Sequence, residues 1–363
     1  MNFWLVLLLL VLPAVGVYLW MRMRRGKALS TASEAELLYN AGIGYRKGLG
    51  VDFDYVRARQ LLLEAAEKGN IAAQYDIGMM MRQALGGPRD DEAALHLIER
   101  AAKSGDPRAA LEMGRCCLSG DGLERNEQNA VFWLRDAADA GNAEAQYRLA
   151  MLYRDKNSSL WNSAKAASLM TKAAEKHYPA ALFVLSEMYE HGEGVARDVK
   201  SADRWLLLAA EQGVPEAQFK LAKFYLTGAF GHDFPQDYRI AIEWFKRAGA
   251  HGIAEAQYEV GLRYERNEGV DAPDKMRAVE YFLKSAEMGY APAQYRMGQL
   301  YQYGDTVVKN LDEARRWYQA AAAQGHGEAV EFEKKLRVRD TEQPFMEPVS
   351  DTGRKDGEEE WKG

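Results

Sequence analysis

Pairs of glycines separated by one residue are the feature of this sequence that could most readily do chemistry, because a glycine-rich loop can cradle a phosphate group. Gly192-Glu193-Gly194 is one such pair. It follows a helical pattern, whereas a phosphate-binding loop follows a strand, and the sequence contains no GxxxxGKS or GxxxxGKT motif. We therefore interpret these loops as helix-ending turns.

Histidines and cysteines could bind a metal or carry redox chemistry if they were suitably spaced. The six histidines lie far apart without ligand spacing, and HExxH and GxSxG motifs are absent. Cys116 and Cys117 are neighbours on a predicted helix, which makes a poor structural disulfide, so we expect two buried small side chains. The sequence predicts no enzyme: no catalytic residue, no cofactor or cofactor-binding residue, and no metal site.

The elements that would position any site recur along the chain with a fixed period. Small residues that follow an Ala-Gln pair or its equivalent lie at Gly42, Gly78, Gly114, Ala150, Ser186, Ala222, Gly261 and Gly298. The first six are each 36 residues apart, the next step is 39 and the last is 37. Such a period indicates stacked supersecondary units, and eight copies fill residues 33 to about 327.

Each copy contains two amphipathic helical patterns. In one copy the first has Ala145, Leu149, Ala150 and Tyr153 on one face, and second patterns carry Trp at 133, 205, 244 and 317 in the large position. Small residues allow the helices to approach closely, while large ones fill the remaining volume. Glycines just past the second helix can take positive φ and close it. The sequence of residues 328–339 predicts a terminal capping helix.

The pattern AxxxLGxxYxxGxGV followed by AxxWLxxAAxxG resembles the Sel-1-like repeat, a relative of the tetratricopeptide repeat. The resemblance covers about four fifths of the chain. It implies an all-α fold, a right-handed α-solenoid (superhelix) of about eight helix-turn-helix repeats, and it implies work as an adaptor rather than as a catalyst.

The N-terminal residues differ from the repeats. Residues 3–21 contain no charge, and 19 residues of helix span roughly 28 Å, close to the thickness of a bilayer core. Arg22, Arg24, Arg25 and Lys27 follow immediately, which places the repeats on the cytoplasmic side of an inner membrane. We therefore expect residues 1–27 to be a single-pass transmembrane anchor with a basic flank. A cleaved signal peptide is the alternative interpretation.

The C-terminal residues 340–363 contain eight acidic and three basic side chains and little to bury, so we expect a disordered acidic tail. The repeat solenoid is then residues 28–339. The whole chain has a net charge of −6, and the repeats remain acidic when both ends are removed. This balance argues against a nucleic-acid partner.

With no catalytic, cofactor or metal site predicted, the remaining candidate for function is a surface that binds a partner. On the first helix of each copy, non-repeating residues lie in pairs about one turn apart, and they include Asp76 with Met79, Glu112 with Arg115, and Val184 with Glu187. Such variety is typical of a concave binding face, and equally of an unconstrained solvated face. The predicted partner-binding residues are Met79, Arg115, Arg148, Met151, Lys220, Lys223 and Leu262.

The function predicted from these features is that of a membrane-anchored, non-catalytic scaffold that binds a protein or peptide partner. The alternative is a binding protein on the opposite, periplasmic side of the membrane that assists cell-wall or exopolysaccharide machinery.

Overall fold

The computed structural model describes residues 34–229 and 231–342, with side chains as far as residue 334. These residues form seventeen α-helices and no strand. The helices are α1 Glu34–Lys47, α2 Tyr55–Glu67, α3 Ile71–Arg82, α4 Asp91–Lys103, α5 Pro107–Ser119, α6 Glu127–Asp139, α7 Ala143–Arg154, α8 Ser163–Glu175, α9 Pro179–His191, α10 Val199–Glu211, α11 Pro215–Thr227, α12 Tyr238–Ala250, α13 Ala254–Arg266, α14 Lys275–Glu287, α15 Ala291–Tyr303, α16 Leu311–Ala323 and α17 Gly327–Glu342. Odd-numbered helices up to α15 are the first helices of the eight repeats, even-numbered helices are the second helices, and α17 follows the last repeat.

The all-helical repeat solenoid predicted from the sequence is confirmed. The predicted capping helix is α17, which continues three residues into the segment expected to be a tail. The predicted anchor at 1–27 and the rest of the tail lie outside the described residues. Within the described ranges, no helix has both the length and the apolar character needed to cross a membrane. The hand of the predicted superhelix stays a prediction.

The described residues divide into two compact units, with the boundary between residues 209 and 210. In the first unit, the fully buried Leu62, Ile77 and Met80 lie in one apolar cluster with alanines from α2, α3 and α4. In the second unit, Phe245 and Phe282 are fully buried in a cluster that includes residues from α12 to α15. Each unit therefore buries its core between helices that are close in the sequence.

Local hydrogen bonds define where the helices begin. The second helix of each repeat starts after an Asp or Asn whose side chain accepts a hydrogen bond from a backbone N–H of the first turn. These residues are Asp54, Asp90, Asn126, Asn162, Asp198, Asp237, Asp274 and Asn310. Such caps satisfy donors that have no partner inside the helix, each contributing about 1 kcal/mol. Seven second helices are followed by a glycine with positive φ, as predicted. In the fourth repeat His177 takes that position with a φ of 56°.

In the five repeats with glycine at the small position, that glycine faces a large side chain of the following second helix. A Cβ placed on Gly114 would lie 2.6 Å from Leu134 Cγ, and one on Gly298 would lie 2.7 Å from the Tyr318 ring. The sequence pattern placed Trp133 in this position, whereas the residue that faces the glycine is its neighbour Leu134. The predicted close approach of small and large residues is confirmed, shifted by one residue on the second helix.

The glutamine of the Ala-Gln pair ties the two helices of consecutive repeats together. The Nε2 groups of Gln146, Gln218 and Gln294 donate to a carbonyl oxygen eight residues earlier, at distances of 3.0, 3.0 and 3.1 Å. The acceptors belong to the last turn of the preceding second helix, where carbonyl groups have no partner inside the helix. The pair therefore recurs for a structural reason.

Candidate partner-binding surface

The seven residues predicted to bind a partner all lie on first helices. In the first unit Met79 is on α3, Arg115 on α5, and Arg148 and Met151 on α7. In the second unit Lys220 and Lys223 are on α11 and Leu262 is on α13. Arg115, Met151 and Lys223 are exposed and the other four are half-buried. All seven can therefore be reached by a partner, while their role in binding stays a prediction.

Three residues that the sequence placed on the same outer face are buried instead. Asp76, Glu112 and Val184 expose only 4%, 9% and 8% of their surface, so these three residues do not lie on an accessible face, whether binding or solvated. Asp76 accepts hydrogen bonds from Arg46 at 2.7 Å and from the Tyr39 hydroxyl at 3.0 Å. Side chains of the preceding repeat therefore cover this position.

Ion pairs of this kind join consecutive repeats along the first helices. In the first unit Arg82 pairs with Glu112 at 2.6 Å, and Arg154 pairs with Glu193 at 3.0 Å. In the second unit Lys223 pairs with Glu255 at 2.9 Å, and Arg296 pairs with Glu265. The partners are 30 to 39 residues apart, close to one period. These ion pairs were not predicted from the sequence, although opposite charges at this separation are a signal that could have indicated them.

Arg115 and Arg148 come together around a shared carboxylate, Glu144. The Nε of Arg148 lies 2.7 Å from Glu144 Oε1, and Arg115 Nη1 approaches the same oxygen at 4.0 Å. Arg115 also lies 3.7 Å from Glu112, a carboxylate already paired with Arg82. Neither of the two guanidinium groups is fully buried, so both present N–H donors that are incompletely used within the fold.

Two tyrosines form the base of this arrangement. The rings of Tyr147 and Tyr178 lie 5.2 Å apart, and Met151 is 37% exposed one turn from Tyr147 on the same helix. Burial, reinforced by Glu144, raises the pKa of Tyr178, so its hydroxyl stays a neutral donor at physiological pH. We call Arg115, Glu144, Tyr147, Arg148, Met151 and Tyr178 the Arg115–Arg148 cluster. It contains three of the seven predicted residues.

The predicted lysines of the second unit also make contacts within the fold. Lys223 pairs with Glu255 and lies 4.5 Å from the centre of the Phe219 ring. Lys220 lies 5.9 Å from the centre of the Phe224 ring. These contacts hold both ammonium groups against the first-helix surface.

Leu262 lies in a groove of about 560 Å³ within the second unit, lined also by Tyr258, Tyr295, Arg296 and His326. The rings of Tyr295 and His326 stack at 4.7 Å. Met79 lines a second groove of about 440 Å³ in the first unit, beside Arg46, Tyr55 and Tyr75. Both grooves combine aromatic rings with a guanidinium group.

Tyr290 extends the aromatic surface of the second unit. Its ring lies 5.5 Å from that of Tyr258. Burial, together with the nearby Glu255 and Glu259, raises the pKa of Tyr290 to about 12. The hydroxyl therefore stays protonated at neutral pH and can donate a hydrogen bond.

The loops and cysteines considered for chemistry have structural roles. Gly192 ends α9 in the left-handed region, and its N–H donates to the Met188 carbonyl. A Cβ on Gly194 would lie 2.1 Å from the Ser163 carbonyl oxygen, so this loop packs against a helix and the interpretation as a turn is confirmed.

Cys116 and Cys117 are buried and form no disulfide, and burial raises the pKa of both thiols. Among residues 34–229 and 231–342, no group of three or more His, Cys, Asp or Glu side chains is placed to hold a metal ion.

Comparison with known proteins agrees with this architecture. The Sel1 repeat family matches residues 35–70, 71–106, 107–142, 143–178, 179–214, 215–253, 254–290 and 291–326. Proteins of this family typically act as non-catalytic scaffolds for protein–protein interaction. No curated protein sequence matches the chain.

Two solved structures are similar over most of the chain. The first is c5321, a protective antigen present in uropathogenic Escherichia coli strains displaying an SLR fold, with 28% identity and a TM-score of 0.68. The match covers 81% of this chain and 62% of c5321, so the chain spans about three fifths of that protein. The second is a Sel1 repeat protein from Oxalobacter formigenes, with 30% identity, a TM-score of 0.65, and coverage of 87% of this chain and 90% of that one.

Proposed function

Because the chain belongs to the Sel1 repeat family, we propose that it is a non-catalytic adaptor that binds a protein or peptide partner on the exposed side of its first helices. The observation that carries this proposal is the Arg115–Arg148 cluster. It places two incompletely neutralised guanidinium groups, two aromatic rings and an exposed methionine on one surface. Arginine, tyrosine and methionine are enriched in protein interfaces, because they combine large contact area with directed donors.

The geometry of the cluster favours a partner that contributes a carboxylate beside an apolar side chain. Glu144 is shared by Arg115 and Arg148, so an additional carboxylate can accept hydrogen bonds from the donors that Glu144 leaves unused. Met151 and the Tyr147 ring offer an adjoining apolar contact. Because Tyr178 stays protonated, its hydroxyl adds a donor and no competing charge.

A triple substitution tests this surface. Changing Arg115, Arg148 and Met151 to serine in the full-length chain should reduce affinity for a partner captured from membranes by at least about tenfold, since hot-spot residues each contribute about 2 kcal/mol or more. The affinity of the purified partner is measured by titration. The matched control changes Arg125, Arg135 and Phe132 to serine, three exposed residues of the same types or character on or before α6. Equal loss in both variants, or no loss in the first, would show that the partner binds elsewhere.

We also propose that residues 3–21 anchor the chain in the inner membrane, with the repeats in the cytoplasm. The support is the uncharged segment followed by Arg22, Arg24, Arg25 and Lys27. A C-terminal reporter that is active only in the cytoplasm should therefore be active, and moving the four basic residues in front of the apolar segment should abolish that activity. An active periplasmic reporter on the unaltered chain would instead favour the envelope-facing alternative.

A further inference from the structure

The two tyrosine rings of the Arg115–Arg148 cluster have counterparts in the second unit. Tyr258 takes in the seventh repeat the position that Tyr147 takes in the fourth. Tyr290 likewise takes the position of Tyr178. The paired rings lie 5.2 Å apart in the first unit and 5.5 Å apart in the second. The same local arrangement of aromatic rings therefore occurs in both units.

A cation and a glutamate beside the tyrosines are repeated as well. Lys223 corresponds to Arg115, and Glu255 corresponds to Glu144. In the second unit Lys223 Nζ lies 2.9 Å from Glu255 Oε1. In the first unit Arg115 Nη1 approaches Glu144 Oε1 at 4.0 Å. Each unit thus joins two consecutive repeats by an ion pair at the same place.

One position reverses its charge between the two arrangements. An apolar side chain follows the first tyrosine by one turn in both, Met151 in the first unit and Leu262 in the second. The position of Arg148, however, is occupied by Glu259 in the second unit. The two surfaces therefore carry similar side chains but opposite charge at one position. We call the second arrangement the Glu259 cluster, and it consists of Lys223, Glu255, Tyr258, Glu259, Leu262 and Tyr290.

The carboxylate of Glu259 is held in place without being fully neutralised. Its side chain is 18% exposed, and its Oε2 accepts a hydrogen bond from Arg263 Nη2 at 3.1 Å. The same guanidinium is shared with Glu268, whose Oε2 lies 2.8 Å from Arg263 Nη1. Burial raises the pKa of Glu259, and the cations Arg263, Lys223 and Arg266 offset this only in part. An additional cation would therefore stabilise the ionised form.

We propose that the Glu259 cluster binds a lysine or arginine side chain of a peptide or protein partner. The cationic end of such a side chain can pair with Glu259, while its apolar stem can lie against Leu262. The faces of the two tyrosine rings also attract a cation. The inference rests on the proposed adaptor function, because it takes the first helices as the binding side. It adds a second site, whose charge preference is opposite to that of the first.

An acidic side chain fits the Glu259 cluster poorly. Glu255 and Glu259 would both face it with like charge, which disfavours the contact. Arg263 cannot turn towards a ligand, because its side chain is only 7% exposed and pairs with two carboxylates. Arg296, the guanidinium that lines the adjoining groove, already pairs with Glu265. The cluster therefore discriminates between ligands by charge.

Titration with two peptide probes tests this preference on the full-length chain in detergent micelles. The probes are nonapeptides of glycine and serine with one leucine, and the residue after leucine is lysine in one and glutamate in the other. Methyl resonances of Leu262 and Met151, observed by nuclear magnetic resonance, report binding at the two clusters separately. At Leu262 the dissociation constant should be about fivefold lower for the lysine peptide, as for one partly exposed ion pair. At Met151 the glutamate peptide should bind more tightly.

Two substitutions assign the preference to one carboxylate. Glu259→Gln removes the charge but can still accept the hydrogen bond from Arg263, so the two dissociation constants at Leu262 should become equal. The matched change Glu280→Gln, at an exposed glutamate of α14, should leave the fivefold difference intact. The inference is overturned if Leu262 prefers the glutamate peptide, responds to both peptides alike or to neither, or keeps its preference after Glu259→Gln. A lysine-selective Leu262 beside an unresponsive Met151 would instead contradict only the carboxylate preference proposed for the first unit.

Discussion

Replacing Gly114 with alanine should destabilise the first unit by about 1–3 kcal/mol, because a methyl group at this position overpacks the interface. The new Cβ would lie 2.6 Å from Cγ and 2.7 Å from Cδ2 of Leu134, a fully buried side chain. The sign of the effect is informative, since glycine-to-alanine changes inside helices otherwise stabilise by about 1 kcal/mol. Urea unfolding of the purified protein, followed by far-ultraviolet circular dichroism, measures the change in midpoint.

Two variants separate overpacking from other causes. Gly44 lies in α1 with its nearest neighbouring atom at 3.8 Å, so Gly44→Ala should stabilise the protein through helix propensity alone. Leu134→Ala removes the atoms that the new methyl group would meet, so the double variant with Gly114→Ala should be less destabilised than the sum of the two single changes. A midpoint for Gly114→Ala at or above that of the unaltered protein would show that this position is not at a tight helix contact.

Replacing Arg82 with methionine should destabilise the first unit by about 3–5 kcal/mol, because it leaves a buried carboxylate without its partner. The side chain of Arg82 is only 8% exposed, and its Nη1 donates to Glu112 Oε1 at 2.6 Å and to Cys116 Sγ at 3.0 Å. The same guanidinium pairs with Asp121 in the loop after α5. Methionine retains much of the apolar volume but none of the five donors.

The control for this change is an arginine of the same unit that lies in solvent. Arg125 is 70% exposed and pairs with Glu127 at 3.5 Å, so Arg125→Met should alter stability by no more than about 0.5 kcal/mol. Adding Glu112→Gln to Arg82→Met should recover part of the loss, since the uncompensated charge is then removed. If Arg82→Met and Arg125→Met had equal midpoints, the ion pairs between repeats would contribute nothing beyond surface electrostatics.

The fold could be predicted because its determinants are local and periodic. Gly114 packs against the second helix of its own repeat, and Gly141 follows the end of that helix. Both positions follow from contacts within one repeat or with the next. Each such contact recurs with the period, so the pattern can be recognised eight times over. The single-residue shift from Trp133 to Leu134 was not predictable, since both side chains are large, apolar and adjacent on the same helix.

The candidate surface was predicted less completely, for a different physical reason. Whether Asp76 and Glu112 face solvent depends on Arg46 and Arg82, which reach them from the preceding repeat. The repeat period indicates which face of its own helix a side chain lies on. It does not indicate the length and charge of the side chain from the preceding repeat that covers it. Arg115 shares Glu112 with Arg82, which lies closer to that carboxylate, and this arrangement is visible only in three dimensions.

Within each unit, extensive contacts join helices that are next to each other in the chain. Proteins whose contacts join residues close in sequence fold quickly, since little chain entropy is lost before each contact forms. Folding of such a chain can begin before its last residue is synthesised, because a helix pair can pack against the preceding pair as soon as it leaves the ribosome. Translation proceeds at about 5–20 residues per second. Synthesis of one 36-residue period would then take about 2–7 seconds, far longer than helices need to form and pack. The newest pair is therefore the only part of the growing repeat array that waits for its apolar face to be covered, which limits the time available for aggregation.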